Sequence, residues 1–315
     1  MKIGKVDLNL DFMDDDLQYS DGDIEEEILS IVQDNAVDLE RAIEQDNRWP
    51  ILYHFSPDRE NLLEWYPFAE DCSILEIGAG CGALTGLLCK KARHVTSIEL
   101  SYRRALIIAY RHQDKSNLQV ITGDINKIRL DKKFDYVSLI GVLEYAGKYT
   151  DDPDPHLAFL KKIHGYLKNS GVLLLAIENK FGLKYWSGSR EDHTGRLFDG
   201  IEDYPNYPEN KIRTFSRDEL ERLLRRAGFT NLNFYYPFPD YKLPIYIFSD
   251  DYLPPRGLQY QFVENYDQDR ILLFNEDRVL QNLIRDGKFG YFANSFLVTC
   301  QKGGEANESD ICQVQ

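Results

Sequence analysis

Apolar positions follow two rhythms along this chain. In the first 70 residues they recur at helical spacing: Ile24, Ile28, Ile31, Val32 and Leu39 share one face of a helix expected from Asp23 to about Glu44. Ser56-Pro57 reads as an N-cap followed by proline at the first helical position, opening a second helix through Leu62, Leu63 and Trp65. From about Ser73 short apolar runs alternate with amphipathic stretches. Strands are expected over 73–77, 94–99, 118–122, 134–139, 172–177, 231–236 and 295–299, and helices over 84–91, 101–111, 156–167 and 216–227. Asn169-Ser170-Gly171 is a turn signal ahead of the fifth strand, and Gly228 a helix C-cap. The alternation predicts an α/β fold with a mostly parallel sheet of seven strands and helices on both faces.

The pattern divides the chain into an acidic, flexible N-terminus (1–22), a helical cap (23–70), a main domain (71–300) and a polar, disordered tail (301–315). The main domain has two insertions, at about 180–212 and 238–293, long enough to be lids or small subdomains. The second lies in an aromatic-rich stretch, residues 232–292, with 15 Phe and Tyr. Those rings suit either core packing or stacking against sugar faces.

Charge narrows the partners. The net charge is −15, and residues 1–50 carry −11 of it, with 15 Asp/Glu against 4 Lys/Arg. Neither part offers the basic surface that neutralises a nucleic-acid backbone, so no nucleic-acid partner is expected. The acidic start reads as a solvated segment, or as a dock for a basic partner. No run is long and apolar enough for a membrane span, and the N-terminus lacks the apolar core of a secretory signal, so a cytoplasmic protein is expected. Cys72, Cys81, Cys89, Cys300 and Cys312 include no C-x-x-C pair and read as free thiols.

The chemistry concentrates where the first strand ends. Ile74-Leu75-Glu76-Ile77-Gly78-Ala79-Gly80-Cys81-Gly82 delivers a buried strand into a glycine turn that opens a helix. Glycine there permits positive φ and close approach of a ligand, and the helix start adds free N–H groups and a positive dipole. The second strand ends at Glu99, an acid placed to accept ribose hydroxyls. Gly78-x-Gly80-x-x-Ala83 also satisfies a dinucleotide fingerprint. Three features favour S-adenosylmethionine instead: Glu76 inside the first strand, placed for an ammonium group; Gly123-Asp124-Ile125 closing the third strand, placed for an adenine amino group; and a single mononucleotide half followed by Gly141-Val142-Leu143-Glu144-Tyr145.

On these residues the sequence resembles the class I S-adenosylmethionine-dependent methyltransferases, over about 72–180 and more loosely 214–300. The resemblance implies a Rossmann-like sheet with S-adenosylmethionine as cofactor. It places Glu76 at the cofactor's amino-acid part, Gly78, Ala79, Gly80 and Gly141 along it, Glu99 and Leu100 at the ribose, and Asp124 and Ile125 at the adenine.

The acceptor is less legible. The first half resembles ribosomal-RNA adenine dimethylases, but their Asn-Pro-Pro-Tyr-like clamp is replaced by Ile140-Gly141-Val142-Leu143. Metal-dependent, catechol-type O-methyltransferases need an acid just after the fourth strand and an Asp-Asn pair after the fifth. Glu178-Asn179 matches only in part, and Gly141 and Val142 offer no ligand, so no metal is expected. The run Glu178-Asn179-Lys180-Phe181-Gly182-Leu183-Lys184-Tyr185-Trp186, with Gly188 to Gly195 and Tyr53-His54-Phe55-Ser56-Pro57 upstream, resembles bacterial methyltransferases attached to, or encoded beside, glycosyltransferases of surface-polysaccharide assembly. That implies O-methylation of a sugar, glycan intermediate or small polar metabolite, with a glycosyltransferase or a second copy as partner. A protein or peptide acceptor, and a non-catalytic cofactor-binding module, are the competing readings. Glu144, Tyr145, Glu178, Asn179, Tyr185, Trp186 and His54 are the expected acceptor-side residues. His193, with Asp192 or Glu191 beside it, is the expected general base, in a polar loop at the carboxyl edge of the sheet.

Overall fold

A computed structural model describes residues 1–14, 22–34, 38–150, 152–205, 211–258 and 270–303. Its strands are β1 (Lys2–Ile3), β2 (Val6–Phe12), β3 (Ser73–Ile77), β4 (His94–Glu99), β5 (Leu118–Gly123), β6 (Phe134–Ile140), β7 (Leu167–Glu178), β8 (Phe229–Phe238), β9 (Tyr246–Ser249) and β10 (Ser295–Lys302). Its helices are α1 (Ile24–Gln33), α2 (Leu39–Gln45), α3 (Trp49–Phe55), α4 (Thr85–Lys91), α5 (Tyr102–Arg111), α6 (Pro155–Tyr166), α7 (Leu183–Trp186), α8 (Arg217–Arg226), α9 (Glu276–Arg285) and α10 (Phe289–Phe292). All ten strands join one sheet in the order β1-β2-β5-β4-β3-β6-β7-β10-β8-β9.

Six neighbours, β2 to β7, run parallel, and the remaining pairings are antiparallel. The parallel strands are apolar on both faces: Ile74 of β3 packs into one core, Leu75 and Ile77 into the other. Burial on both faces is what a parallel sheet covered by helices requires. From β3 the chain winds outward to β4 and β5, then crosses back to β6 and β7. The direction therefore reverses between β3 and β6, where open α/β sheets bind their ligands.

The sheet has ten strands where seven are expected from sequence. β1 and β2 are two of the additions. Gly4 turns the hairpin at φ +56°, and Val6 and Leu8 are fully buried against the β5 side of the sheet. The expectation of a flexible segment over 1–22 therefore fails for residues 2–12. Two or three alternating apolar residues suffice to close an edge that is already built, which composition alone hides. Residues 15–21 lie outside the described set. The acids that follow are engaged within the chain: Glu25 pairs with Arg104, Glu26 with Arg103 and Glu27 with Arg48. The tail also begins later than expected, since β10 continues through Lys302; residues 304–315 lie outside the described set.

The cap forms α1, α2 and α3, and Ser56 caps a 3-10 turn, Pro57–Leu62, where a second long helix is expected. Asn169-Ser170-Gly171 does not interrupt β7; residues 168–171 bulge from it, since Phe134 pairs with Leu167 and Tyr136 with Val172. The aromatic insertion adds β9, α9 and α10. Phe234, Tyr236, Phe238, Phe248 and Phe289 are buried in the main core, so this stretch chiefly packs the sheet. Among the described residues no helix is long and apolar enough to cross a membrane.

The N-terminal strand should carry real stability. Leu8→Ala is expected to destabilise the chain by about 2–5 kcal/mol, the cost of a cavity at a fully buried leucine. Urea unfolding measures it; a change within error would mean that β2 contributes nothing to the fold.

Candidate active site

The strand ends at the reversal point open into a cleft of about 530 Å³. Every residue expected at the cofactor lines it: Glu76, Gly78, Ala79, Gly80, Glu99, Leu100, Asp124, Ile125 and Gly141. Gly78 and Gly80 adopt φ +69° and +57°, which a side chain rarely tolerates. At Gly78 a Cβ would collide with Val142 Cγ2, 2.4 Å away, so glycine lets the first and fourth strand ends approach. At Gly80 a Cβ would meet nothing within 4 Å and would point into open space. Such a cradle fits a ligand pressed against the backbone.

Buried acids flank the turn. Glu76 accepts hydrogen bonds from Thr85 Oγ1 (2.7 Å) and Ser97 Oγ (2.6 Å). Burial pushes its carboxyl up to about 7 in spite of those donors, and Glu99 nearby adds to the shift. Glu99 accepts from the Gly80 N–H (2.7 Å) and the Ser101 N–H (3.0 Å), and burial also raises it, against the pull of Arg104. Asp124 accepts from the Asn126 N–H at 2.8 Å at the foot of the cleft. Two buried carboxylates with spare capacity beside a glycine cradle fit a cofactor with an ammonium group and a ribose. These residues would hold S-adenosylmethionine, whose sulfonium offers an electrophilic methyl group.

The acceptor side is built from three segments. Glu144 follows β6, Glu178 ends β7, and His193 sits in the loop beyond α7; all three line the cleft. Their nearest ligand atoms lie within 4.8 Å of one another. His193 Nδ1 is 2.8 Å from Glu191 Oε1, and its Nε2 is 3.8 Å from Glu144 Oε1. Burial opposes a charged ring, but these two carboxylates outweigh it and hold His193 well above its ordinary value. Glu144 is raised by burial, with Glu178 adding and His193 opposing. Tyr145 sets its ring edgewise on His193 at 5.3 Å.

Several expected residues are placed otherwise. Asp192 lines the cleft but does not orient His193; Lys184 (3.0 Å), Lys242 (2.6 Å) and the Tyr185 hydroxyl hold it. Burial would raise its carboxyl, yet the two lysines keep it well below the usual range. The partner of His193 is Glu191, fixed by the N–H groups of His193 and Thr194 and by the Tyr204 hydroxyl. Asn179 is a buried pin, donating to the carbonyls of Tyr291 and Ala293 at 2.8 Å. Tyr185 is buried on Asp192. Trp186 lies outside the cleft, half exposed, with its Nε1 donating to Phe181 O at 3.2 Å. His54 lines the cleft from α3, and its carbonyl accepts from Arg111 Nη1 at 2.7 Å.

Other lining residues are not among those expected at the site from sequence. Trp49 and Tyr53 of α3 form an aromatic wall, with Arg59 4.5 Å from the Tyr53 ring centre. Tyr241 and Lys242 come from the aromatic insertion and reach Glu178 Oε1 at 3.1 and 2.9 Å. Their distance in sequence, over 60 positions from Glu178, leaves no local signal.

The fold and site define a methyltransferase domain of class I architecture. The profile of the family described as "Methyltransferase domain" matches residues 41–233, and the chain belongs to that family. Its cofactor is S-adenosylmethionine. Among curated relatives, malonyl-[acyl-carrier protein] O-methyltransferase of Priestia megaterium is 29% identical over 111 residues, 35% of this chain and 38% of that protein. An rRNA adenine N-6-methyltransferase of Bacillus licheniformis is 38% identical over 90 residues, 28% of this chain and 31% of that protein. The chain thus spans 38% and 31% of these relatives' length. In structure it resembles phosphoethanolamine N-methyltransferase 1 of Haemonchus contortus, solved with phosphoethanolamine and S-adenosylhomocysteine. That match has a TM-score of 0.50 at 15% identity, over 91% of this chain and 50% of that one, and shows a shared fold.

Two outcomes test the cofactor side. Gly80→Arg should abolish S-adenosylhomocysteine binding by calorimetry; normal affinity would remove the cradle assignment. Glu76 gives a pH signature. Its folded value of about 7 lies above its ordinary 4.5, so stability is fully present below the ordinary value and declines as pH rises through about 7. The loss in the cofactor-free chain is about 3 kcal/mol. Glu76→Gln should flatten this decline in urea titrations, whereas cofactor affinity of the unaltered chain should rise across the same range as the carboxylate ionises.

Proposed function

We propose that this protein methylates a hydroxyl of a small polar acceptor, of the sugar or glycan class, with Glu144 as the base. The observation that carries this reading is a buried Glu144 carboxylate in the cleft wall whose Oε2 has no hydrogen-bond partner among the described residues. In the step itself the acceptor oxygen attacks the methyl carbon in line with the carbon–sulfur bond. The carbon–oxygen bond forms, the carbon–sulfur electrons stay on sulfur, and the hydroxyl proton passes to Glu144. His193, set between Glu144 and Glu191, serves as a positioning residue for that carboxylate.

The acceptor class is supported by the rest of the cleft lining. Trp49 and Tyr53 offer rings for a sugar's C–H face, while Glu178, Tyr241 and Lys242 offer groups for its hydroxyls. An RNA acceptor is disfavoured by the −15 net charge and by Ile140-Gly141-Val142-Leu143 at the acceptor clamp. A protein acceptor docked by the acidic N-terminus is disfavoured by the pairing of Glu25, Glu26 and Glu27 within the chain. A glycosyltransferase that makes or uses the acceptor, or a second copy of this chain, is the partner this reading implies.

Incubation with methyl-labelled cofactor and panels of nucleotide sugars, glycan fragments, RNA and proteins tests the acceptor. Label confined to RNA or protein would overturn it. Glu144→Gln should lower kcat by about 10²–10⁴-fold, the range of lost general-base catalysis, with S-adenosylhomocysteine affinity unchanged. Retained turnover would reassign the base.

A further inference from the structure

We propose that Glu144, Glu178 and His193 form a binding site for one hard divalent cation of the manganese or magnesium type, at the acceptor end of the cleft. Three observations carry this, and none depends on which acceptor is methylated. First, the three side chains arrive from different segments yet bring one ligand atom each within 4.8 Å of the others, a spacing one ion can bridge. Second, Glu144 and Glu178 are each 1% exposed, and in each the Oε2 oxygen has no hydrogen-bond partner among the described residues. Buried carboxylate oxygens without partners are costly, and an ion is a ready explanation for two in one wall.

Third, His193 is held as metal-bound histidines are held. Its Nδ1 faces Glu191 Oε1 at 2.8 Å, and Glu191 accepts three further hydrogen bonds that keep it ionised and fixed. A carboxylate behind the ring fixes its tautomer and aims Nε2 at the cleft, the usual outer-partner arrangement. The surrounding charge agrees: five carboxylates (Glu144, Glu178, Glu191, Asp192 and Asp240) stand against Lys184, Lys242 and His193.

The donor set is two carboxylate oxygens and one imidazole nitrogen, with no thiolate, which favours a hard ion over copper or a structural zinc. Gly141 and Val142, directly after β6, offer no ligand, which is why no metal is expected from sequence. The fold supplies the acid from Glu144, at the 3-10 turn just beyond. Each glutamate can give one oxygen to the ion, and the second oxygen of Glu144 stays available to a proton.

Titration of the full chain with Mn²⁺, followed by the electron paramagnetic resonance signal of the free ion, tests the site. One equivalent should bind and be displaced by excess Mg²⁺, and pulsed spectra should show coupling to a directly bonded nitrogen. Glu144→Gln and Glu178→Gln should each weaken binding at least tenfold. Glu191→Gln, which leaves the ligands in place, should weaken it by about 10–100-fold. No binding to the unaltered chain, with or without S-adenosylhomocysteine, would overturn the proposal. So would a bound ion without nitrogen coupling, which would sit on other carboxylates. These spectra need no turnover, so they decide the site even where a variant misfolds or the acceptor is misassigned.

Discussion

Burying carboxylate charge at the carboxyl ends of parallel strands is costly, and much of this molecule is arranged around that cost. Glu99, Glu76, Glu144 and Glu178 belong to the ends of four consecutive strands, β4, β3, β6 and β7, and none is more than 4% exposed. Each is met differently. Glu99 is held by backbone N–H groups, Glu76 by two hydroxyls, Glu178 by Lys242 and Tyr241, and Glu144 by little beyond His193. The gradient from satisfied to unsatisfied runs from the cofactor half of the cleft towards the acceptor half. Desolvation favours the protonated form of such groups and makes each sensitive to an arriving cation or proton donor.

The helices outside the sheet serve the same arrangement. α1 packs on α5, and the Glu25–Arg104 pair joins them at 2.7 Å within the protein. Arg104 in turn faces Glu99, so the N-terminal cap bears on the charge of that carboxylate. α3 closes the opposite wall with Trp49 and Tyr53. Among its described residues, the aromatic insertion contributes chiefly core packing and sends only Tyr241 and Lys242 to the cleft. A segment rich in rings is therefore chiefly scaffold, and the ring wall of the cleft comes largely from elsewhere.

Lys184 and Lys242 show why sequence proximity misleads about pairing. Asp192 adjoins His193 in the chain, but two buried lysines, one from α7 and one from the insertion, claim it. Glu191 turns back through a tight loop, in which Gly195 N–H donates to its carbonyl, and takes the histidine instead. Local order placed both acids beside the histidine; which of them pairs with it depended also on Lys242, 50 positions beyond Asp192.

The sequence by itself determined the parallel strands β3 to β7, the glycine turn and every acid expected at the cofactor, because these follow from short-range rules. Alternating apolar runs set strands, glycine sets positive φ, and a strand's last residue necessarily sits at the edge where ligands bind. Only the tertiary structure decided the edge strands β1 and β2, the burial of the aromatic insertion, the Glu191–His193 pairing and the gathering of Glu144, Glu178 and His193. Each of these depends on segments distant in the chain meeting in space, and neither periodicity nor spacing records that.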